Sequence, residues 1–69
     1  MTGENLRAIR HKLGLSVYAF GRALGYSGND NTVGVTIRRY ETNARPIPVY
    51  LERLATCYGR YGVPKEYRP

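Results

Sequence analysis

The sequence contains one cysteine, no tryptophan and five acidic residues against eleven lysines and arginines. Because Cys57 is alone, an intrachain disulfide and a cysteine-based metal site are both excluded, which fits a reducing, cytosolic compartment. Its apolar neighbours Leu54 and Ala55 predict that Cys57 is a half-buried structural thiol. The apolar runs are only a few residues long, so we expect neither a signal peptide nor a transmembrane helix.

The residue patterns of enzymes are also missing. The sequence has no paired carboxylates, no nucleophile beside a base and no metal-ligand spacing. The glycines between Gly25 and Gly34 lack the Lys-Ser/Thr ending of a phosphate-binding P-loop. His11 has no second ligand at a suitable spacing, so it is predicted to lie on the surface. We therefore expect no enzyme activity, no cofactor, no metal ion and no small-molecule substrate.

Positive charge is the strongest signal in the composition. The formal net charge is +6, and the basic residues are spread from Arg7 to Arg68. Such a chain is attracted to polyanions, which means nucleic acid first and an anionic membrane second. Because the apolar residues form short stripes and no long amphipathic face, we expect no membrane contact. A chain of 69 residues makes one domain at most, with a core small enough that a partner subunit would help to stabilise it.

Apolar spacing and capping residues predict four helices. Thr2 and Ser16 are suitable N-caps, and Gly14 and Gly25 are suitable stops. The predicted elements are helix 1 at 3–13, helix 2 at 17–24, helix 3 at 31–41 and helix 4 from Pro48, with an end that loosens at Gly59 and Gly62. Residues 1–62 then form the domain, and 63–69 form a short tail.

The stretch 31–41 carries the most informative pattern. At about 100° per residue, Val33, Ile37 and Tyr40 lie on one apolar stripe. A short strand is the alternative because the run is rich in β-branched residues, but Arg38 and Arg39 break strand alternation. Asp30, Asn31 or Thr32 can cap the helix. The opposite, outer face carries groups that suit base edges and phosphates, and an ordinary solvated basic face is the alternative. That face holds Asn31, Val35, Arg38, Arg39 and Thr42.

Five short motifs, in their order along the chain, resemble the Cro/C1-type repressor family. The motifs are Gly14-Leu15-Ser16, Phe20-Gly21, Leu24-Gly25, Ile37-Arg38-Arg39-Tyr40-Glu41 and Asn43-Ala44-Arg45-Pro46-Ile47-Pro48. The resemblance runs from Leu6 to Tyr58 and implies an all-α, lambda-repressor-like bundle of four to five helices with a helix-turn-helix. Small phage or mobile-element regulators, including those associated with anti-CRISPR genes, are similar in size and layout. The implied location is the cytoplasm of a bacterial cell, in association with the nucleoid.

The resemblance also implies which residues meet DNA. Helix 3 becomes the recognition helix in the major groove. The expected base contacts are Asn31, Val35, Thr36, Arg38 and Arg39. A phosphate contact is the alternative for one of the two arginines, which the helical wheel does not separate. The expected phosphate contacts are Ser16, Thr32, Thr42, Asn43 and Arg45. Arg10 and Glu41 are expected to form a structural ion pair that joins helix 1 to the end of helix 3.

Three positions depart from the family pattern. Val17 stands where the family usually has glutamine, so a phosphate contact from that side chain is absent. Gly21 replaces an alanine, which keeps the close helix packing. The connector after Gly25 is several residues longer than usual. Either the turn bulges as a loop, or helix 3 is extended at its N-terminus.

The expected function is sequence-specific transcription regulation, by an autoregulatory repressor that binds an inverted-repeat operator in double-stranded DNA as a homodimer. An antitoxin-like protein-interaction module that also binds DNA is the alternative function, and RNA binding is a variant. The candidate dimer surface consists of Tyr50, Cys57, Tyr61, Val63 and Tyr67. Packing inside the monomer is the alternative for Tyr50 and Cys57.

Overall fold

The computed structural model describes residues 1–68, and every regular element in that range is helical. The elements are α1 (Gly3–Leu13), α2 (Val17–Ala23), α3 (Asp30–Glu41) and α4 (Val49–Tyr61), followed by a short 3₁₀ turn (Lys65–Tyr67). The all-α prediction is confirmed, as are the bounds of helix 1 and the choice of helix over strand for 33–37. No helix in the described range is both long and apolar enough to cross a membrane. Pro69, the last residue of the predicted tail, lies outside the described residues.

Side-chain caps set the starts of the first three helices. Such a cap satisfies an otherwise unpaired backbone N–H and contributes about 1 kcal/mol. The bonds run from Asn5 N–H to Thr2 Oγ1 (3.1 Å), from Ala19 N–H to Ser16 Oγ (3.2 Å) and from Thr32 N–H to Asn29 Oδ1 (2.9 Å). The predicted caps of helix 3, which were Asp30, Asn31 or Thr32, were wrong. Asn29 fills that role. As a result α3 begins one residue earlier than predicted, and the longer connector forms a loop at 24–29.

One buried cluster joins all four helices. Its largest fully buried side chains are Phe20, Leu6, Ile37 and Leu51. The predicted inner stripe of α3 is buried throughout, since its three side chains are at most 5% exposed. The core also extends past the predicted domain boundary at residue 62. Val63 is 5% exposed and packs in the cluster, so it belongs to the core and not to a free tail.

Two glycines let helices approach closely. A Cβ on Gly21 of α2 would collide with Val33 Cγ1 on α3 and lie 3.0 Å from Ile37 Cγ1. A Cβ on Gly3 would collide with the carbonyl oxygens of Tyr40 and Glu41, at the end of α3. The first turn of α1 therefore sits directly on the backbone of the last turn of α3.

Buried and half-buried tyrosine hydroxyls make further links between elements. Tyr58 of α4 donates to the Ala23 carbonyl at the end of α2 (2.8 Å), and burial raises the pKa of this phenol. The hydroxyls of Tyr26 and Tyr40 lie 3.0 Å apart and tie the connector to α3. Burial, together with this hydrogen bond, raises the pKa of Tyr26.

We predict opposite effects for two glycine substitutions. Gly3→Ala should destabilise the fold by about 1–3 kcal/mol, because its methyl group meets backbone atoms that cannot rotate away. Gly59→Ala is the matched control: its Cβ would lie 3.4 Å from Ile9, an ordinary contact, so better helix propensity should stabilise by up to about 1 kcal/mol. Urea denaturation measures both changes. Equal effects of the two substitutions would contradict this packing of α1 on α3.

We also predict that stability falls in alkaline solution. The raised pKa values of Tyr26 and Tyr58 favour the neutral phenol in the folded state. This stabilisation is complete below about pH 10, the pKa of an unfolded phenol, and is lost as pH rises through the higher folded-state values.

Tyr58→Phe should weaken this pH dependence. At neutral pH it should cost about 1–3 kcal/mol, because the buried Ala23 carbonyl loses its donor. Urea denaturation midpoints between neutral pH and about pH 11 measure both effects. Tyr61→Phe, at a residue that is 80% exposed, serves as the control and should match the parent chain. An unchanged pH dependence in Tyr58→Phe would refute the assignment.

Candidate nucleic-acid interface

The outer side of α3 is a surface of basic and polar side chains. Its inner side is held in the core, and Asn31, Arg38 and Arg39 are exposed. Val35 and Thr36, the other predicted base contacts, are half-buried. The Thr36 hydroxyl donates to the Thr32 carbonyl (3.0 Å), so it satisfies a backbone group of the same helix.

The two arginines of α3 lie on different sides of its exposed surface. Arg38 borders the buried side, because Gly34 and Glu41, four residues before it and three after it, are both buried. It also lines two cavities beside the first turn of α2. Arg39 is about 100° further around the helix. Its neighbours one turn away, Val35 and Thr42, are both accessible, so Arg39 points away from the core.

A buried ion pair joins α1 to the end of α3. Arg10 donates through Nε to Glu41 Oε2 (2.7 Å) and through Nη2 to Glu41 Oε1 (3.1 Å). Its Nη1 donates to the Leu15 carbonyl in the turn before α2 (3.0 Å). Glu41 is 8% exposed, so its carboxylate needs this partner. The ion pair expected between Arg10 and Glu41 is thus present, and it also holds the α1–α2 turn.

An open cavity of about 520 Å³ lies above this ion pair, between α1, the start of α2 and the end of α3. We call it the basic cleft, because its charged groups are three arginines around one carboxylate. Tyr18, 43% exposed, is its exposed aromatic side chain. Within residues 1–68, no group of His, Cys, Asp and Glu side chains could hold a metal ion. The cleft is lined by Arg7, Arg10, Ser16, Val17, Tyr18, Arg38, Glu41 and Thr42.

A smaller cavity of about 210 Å³ is lined by several of the same side chains and reaches the start of α3. Val17, Tyr18 and Arg38 line both cavities, and Asn31 lines the smaller one. Asp30, which also lines it, is held by Arg22 of α2. Arg22 Nη2 donates to Asp30 Oδ1 (2.7 Å) and to the Gly28 carbonyl (2.8 Å). This ion pair offsets the negative charge of Asp30 at the surface.

The predicted phosphate contacts have different surroundings. Ser16, Thr32 and Arg45 are exposed. The Thr42 hydroxyl donates to the Arg38 carbonyl (2.9 Å), so in this conformation its proton is already used.

Asn43, another predicted phosphate contact, uses its side-chain amide for bonds within the molecule. Its Oδ1 accepts from the Gly3 N–H (2.9 Å), and its Nδ2 donates to Glu4 Oε1 (2.9 Å). The pKa of Glu4 is lowered by a bond from its own backbone N–H and by the Asn43 amide. At φ 63°, Asn43 has the left-handed conformation expected after a helix, and its side chain ties the end of α3 to α1.

Four of the five residues of the predicted dimer surface are exposed. They are Cys57 and three tyrosines, Tyr50 (70%), Tyr61 (80%) and Tyr67 (56%). The separate prediction that Cys57 is a half-buried thiol was therefore wrong. Val63 needs a correction, because it is buried in the core and cannot contribute to a contact surface.

The sequence analysis did not identify three residues at the basic cleft and beside the start of α3, namely Arg7, Tyr18 and Arg22. Arg7 precedes Arg10 by three residues, which places both on one side of α1. Tyr18 falls outside the Val17-to-Phe20 apolar spacing, which is the signal that it faces solvent. Neither signal shows that α1 and α2 bring these side chains to one cleft. The Arg22 contact with the connector had no local signal.

The functional interpretation of this surface rests on the chain's own side chains and charges. No protein-family model matches the sequence, and no curated protein or solved structure matches it either.

Proposed function

We propose that this chain is a sequence-specific regulator that binds double-stranded DNA through α3. The observation that carries the proposal is the exposed side of α3. Two arginines lie there, and among residues 1–68 the ion pairs of the chain leave both without an acidic partner. The formal charge of +6 adds a general attraction to phosphate. In this proposal α2, the connector and α3 act as a helix-turn-helix, as the resemblance to the Cro/C1-type family suggests.

The major groove suits such a helix. It is about 12 Å wide, and an arginine forked onto guanine O6 and N7 discriminates against other bases by about 1–3 kcal/mol. Arg39 is the arginine that we assign to this role, because it points directly away from the core. Val35, one turn earlier, offers methyl groups to a thymine methyl. Asn31, in the first turn of α3, is placed to meet an adenine edge.

A second copy is proposed to bind through the outer face of α4. Tyr50, Cys57 and Tyr61 recur at helical spacing along that face and are all exposed, and Tyr67 is exposed nearby in sequence. Tyrosine is enriched at protein interfaces. A two-fold dimer would place two copies of α3 about 34 Å apart, one helical turn of DNA, on an inverted repeat. Binding at its own promoter in the bacterial nucleoid would make the chain an autoregulatory repressor. The same tyrosine face also suits an antitoxin-like contact with another protein.

We predict that Arg39→Ala relaxes sequence preference. The parent chain should select one duplex from a random pool, and gel shifts should show discrimination at one base pair falling by about 1–3 kcal/mol in the variant. Lys65→Ala removes one exposed charge outside α3 and is the control. If Arg39→Ala retains the parent's preference at every position, the assignment of Arg39 to a base is wrong.

We predict that Tyr50→Ala and Tyr61→Ala each weaken self-association at least tenfold, about 1.4 kcal/mol. Sedimentation equilibrium over a range of concentrations, with and without the selected duplex, measures the constant. In the absence of DNA, Tyr18→Ala, which removes an exposed tyrosine outside α4, should associate as the parent does. A parent chain that is monomeric even on an inverted repeat would exclude the dimer.

A further inference from the structure

We infer that the basic cleft is a specific binding site for one phosphate of the DNA backbone. Arg7 and Arg38 bind this phosphate, and Tyr18 and Ser16 lie at the opening of the cleft. The inference rests on the proposed function and adds to it which side chains position the DNA and which read its sequence. Arg7 and Tyr18 have no role in the sequence-based assignment of contacts.

The charge balance of the cleft favours an anion. Glu41 is satisfied by two short bonds from Arg10 and is buried, so it offers little to any other cation. Arg7 Nε lies 4.0 Å from Glu41 Oε1, and the Arg7 side chain is 65% exposed. Arg38 is exposed and borders the same cavity. With Arg10 and Glu41 offsetting one another, the charges of Arg7 and Arg38 remain for the single negative charge of a phosphodiester.

The ion pair also fixes the spacing of these two arginines. Arg7 lies three residues before Arg10 on α1, and Arg38 lies three residues before Glu41 on α3. Residues at that spacing are neighbours on one helix face. Arg7 and Arg38 therefore each stand one turn along their helix from one member of the buried pair, and both line the same cavity. Such preorganisation reduces the entropy lost when an anion binds.

Neutral donors complete the site. The Tyr18 phenol is exposed at the cleft and can donate to a phosphate oxygen. Ser16 Oγ accepts from the Ala19 N–H, which leaves its own proton to be donated. Val17 between them offers no donor, so Tyr18 supplies the polar contact on this side of α2.

The position of Arg38 explains why its partner is phosphate and not a base edge. A helix in the major groove directs its outermost side chains to the bases, while side chains on its flanks meet the sugar-phosphate walls. Arg38 is on the flank next to α2, and Arg39 is outermost. The two adjacent arginines therefore have separate tasks: Arg38 positions the DNA, and Arg39 reads it.

The test compares affinity for the selected duplex and for an unrelated duplex over a range of salt concentrations. Arg7→Ala and Arg38→Ala should each weaken both complexes by the same factor. Each should also reduce the slope of log K against log salt by about one phosphate contact. Tyr18→Phe should weaken both complexes without changing the slope, because it removes a neutral donor. Lys12→Ala, an exposed cation on α1 outside the cleft, is the matched control.

Ethylation interference supplies a second measurement, made on the parent chain and on Arg7→Ala. One phosphate per half-site should block binding when ethylated, and that interference should disappear in Arg7→Ala. The inference is overturned if both arginine variants behave as Lys12→Ala does, or if Arg38→Ala changes preference at one base pair. It is also overturned if inorganic phosphate binds the cleft while the salt slopes for DNA stay unchanged, which would define a small-anion site.

The outcomes separate this inference from the proposed function. A parent chain that selects a duplex, with a preference that Arg39→Ala relaxes, supports DNA reading whatever the cleft variants do. In that case, cleft variants that bind DNA with the affinity and salt slope of the parent chain reject only the phosphate-binding site. A parent chain that selects no duplex rejects both.

Discussion

The buried pair of Arg10 and Glu41 is the interaction on which the arrangement of this molecule depends. A carboxylate that is 8% exposed is costly unless an opposite charge and hydrogen bonds satisfy it. The pair meets that need, and Arg10 also holds the Leu15 carbonyl in the turn before α2. Losing one partner of such a pair costs about 3–5 kcal/mol. One side chain thus positions three elements, and the basic cleft takes its shape from them.

Much of the helical framework was predictable because its signals are local. Thr2 and Ser16 cap α1 and α2 through bonds that span three residues. The period of Val33, Ile37 and Tyr40 is a property of one helix, and the strand alternative fails since all three are buried on one side. The start of α3 was missed by one residue, because several adjacent polar residues are competent caps and Asn29 comes first. The end of α2 and the start of α4 also differ from their predicted positions by one residue. The Arg10–Glu41 pair, 31 residues apart, was expected through the family resemblance and not from any local pattern.

The remaining features depend on contacts between distant parts of the chain. Asn43 looked like a loop residue free to meet DNA, but its amide bonds to residues about 40 positions away at the start of α1. Val63 looked like part of a tail until the packing of the core covered it. Arg38 and Arg39 are adjacent in sequence and equally basic. What separates them is the position of α1 and α2, which a helical wheel does not contain. Charge and helical period predict that α3 has an exposed basic side. The packing of the helices decides which side chains lie together on it.

The connector between α2 and α3 has a consequence for how such a protein can diversify. Its tip, Ser27 to Asn29, is exposed, and the Arg22 hydrogen bond to Gly28 that ties it to α2 is also on the surface. Exposed loops of this kind accept insertions and deletions far more readily than buried elements do. Such changes are not expected to extend to Tyr26, since its hydroxyl is hydrogen-bonded to the Tyr40 hydroxyl of α3. Mutation can therefore change the length of this loop, and with it the first turn of α3, while the core stays intact. The chain thus combines a tightly packed interior with a surface loop whose length can vary without loss of folding.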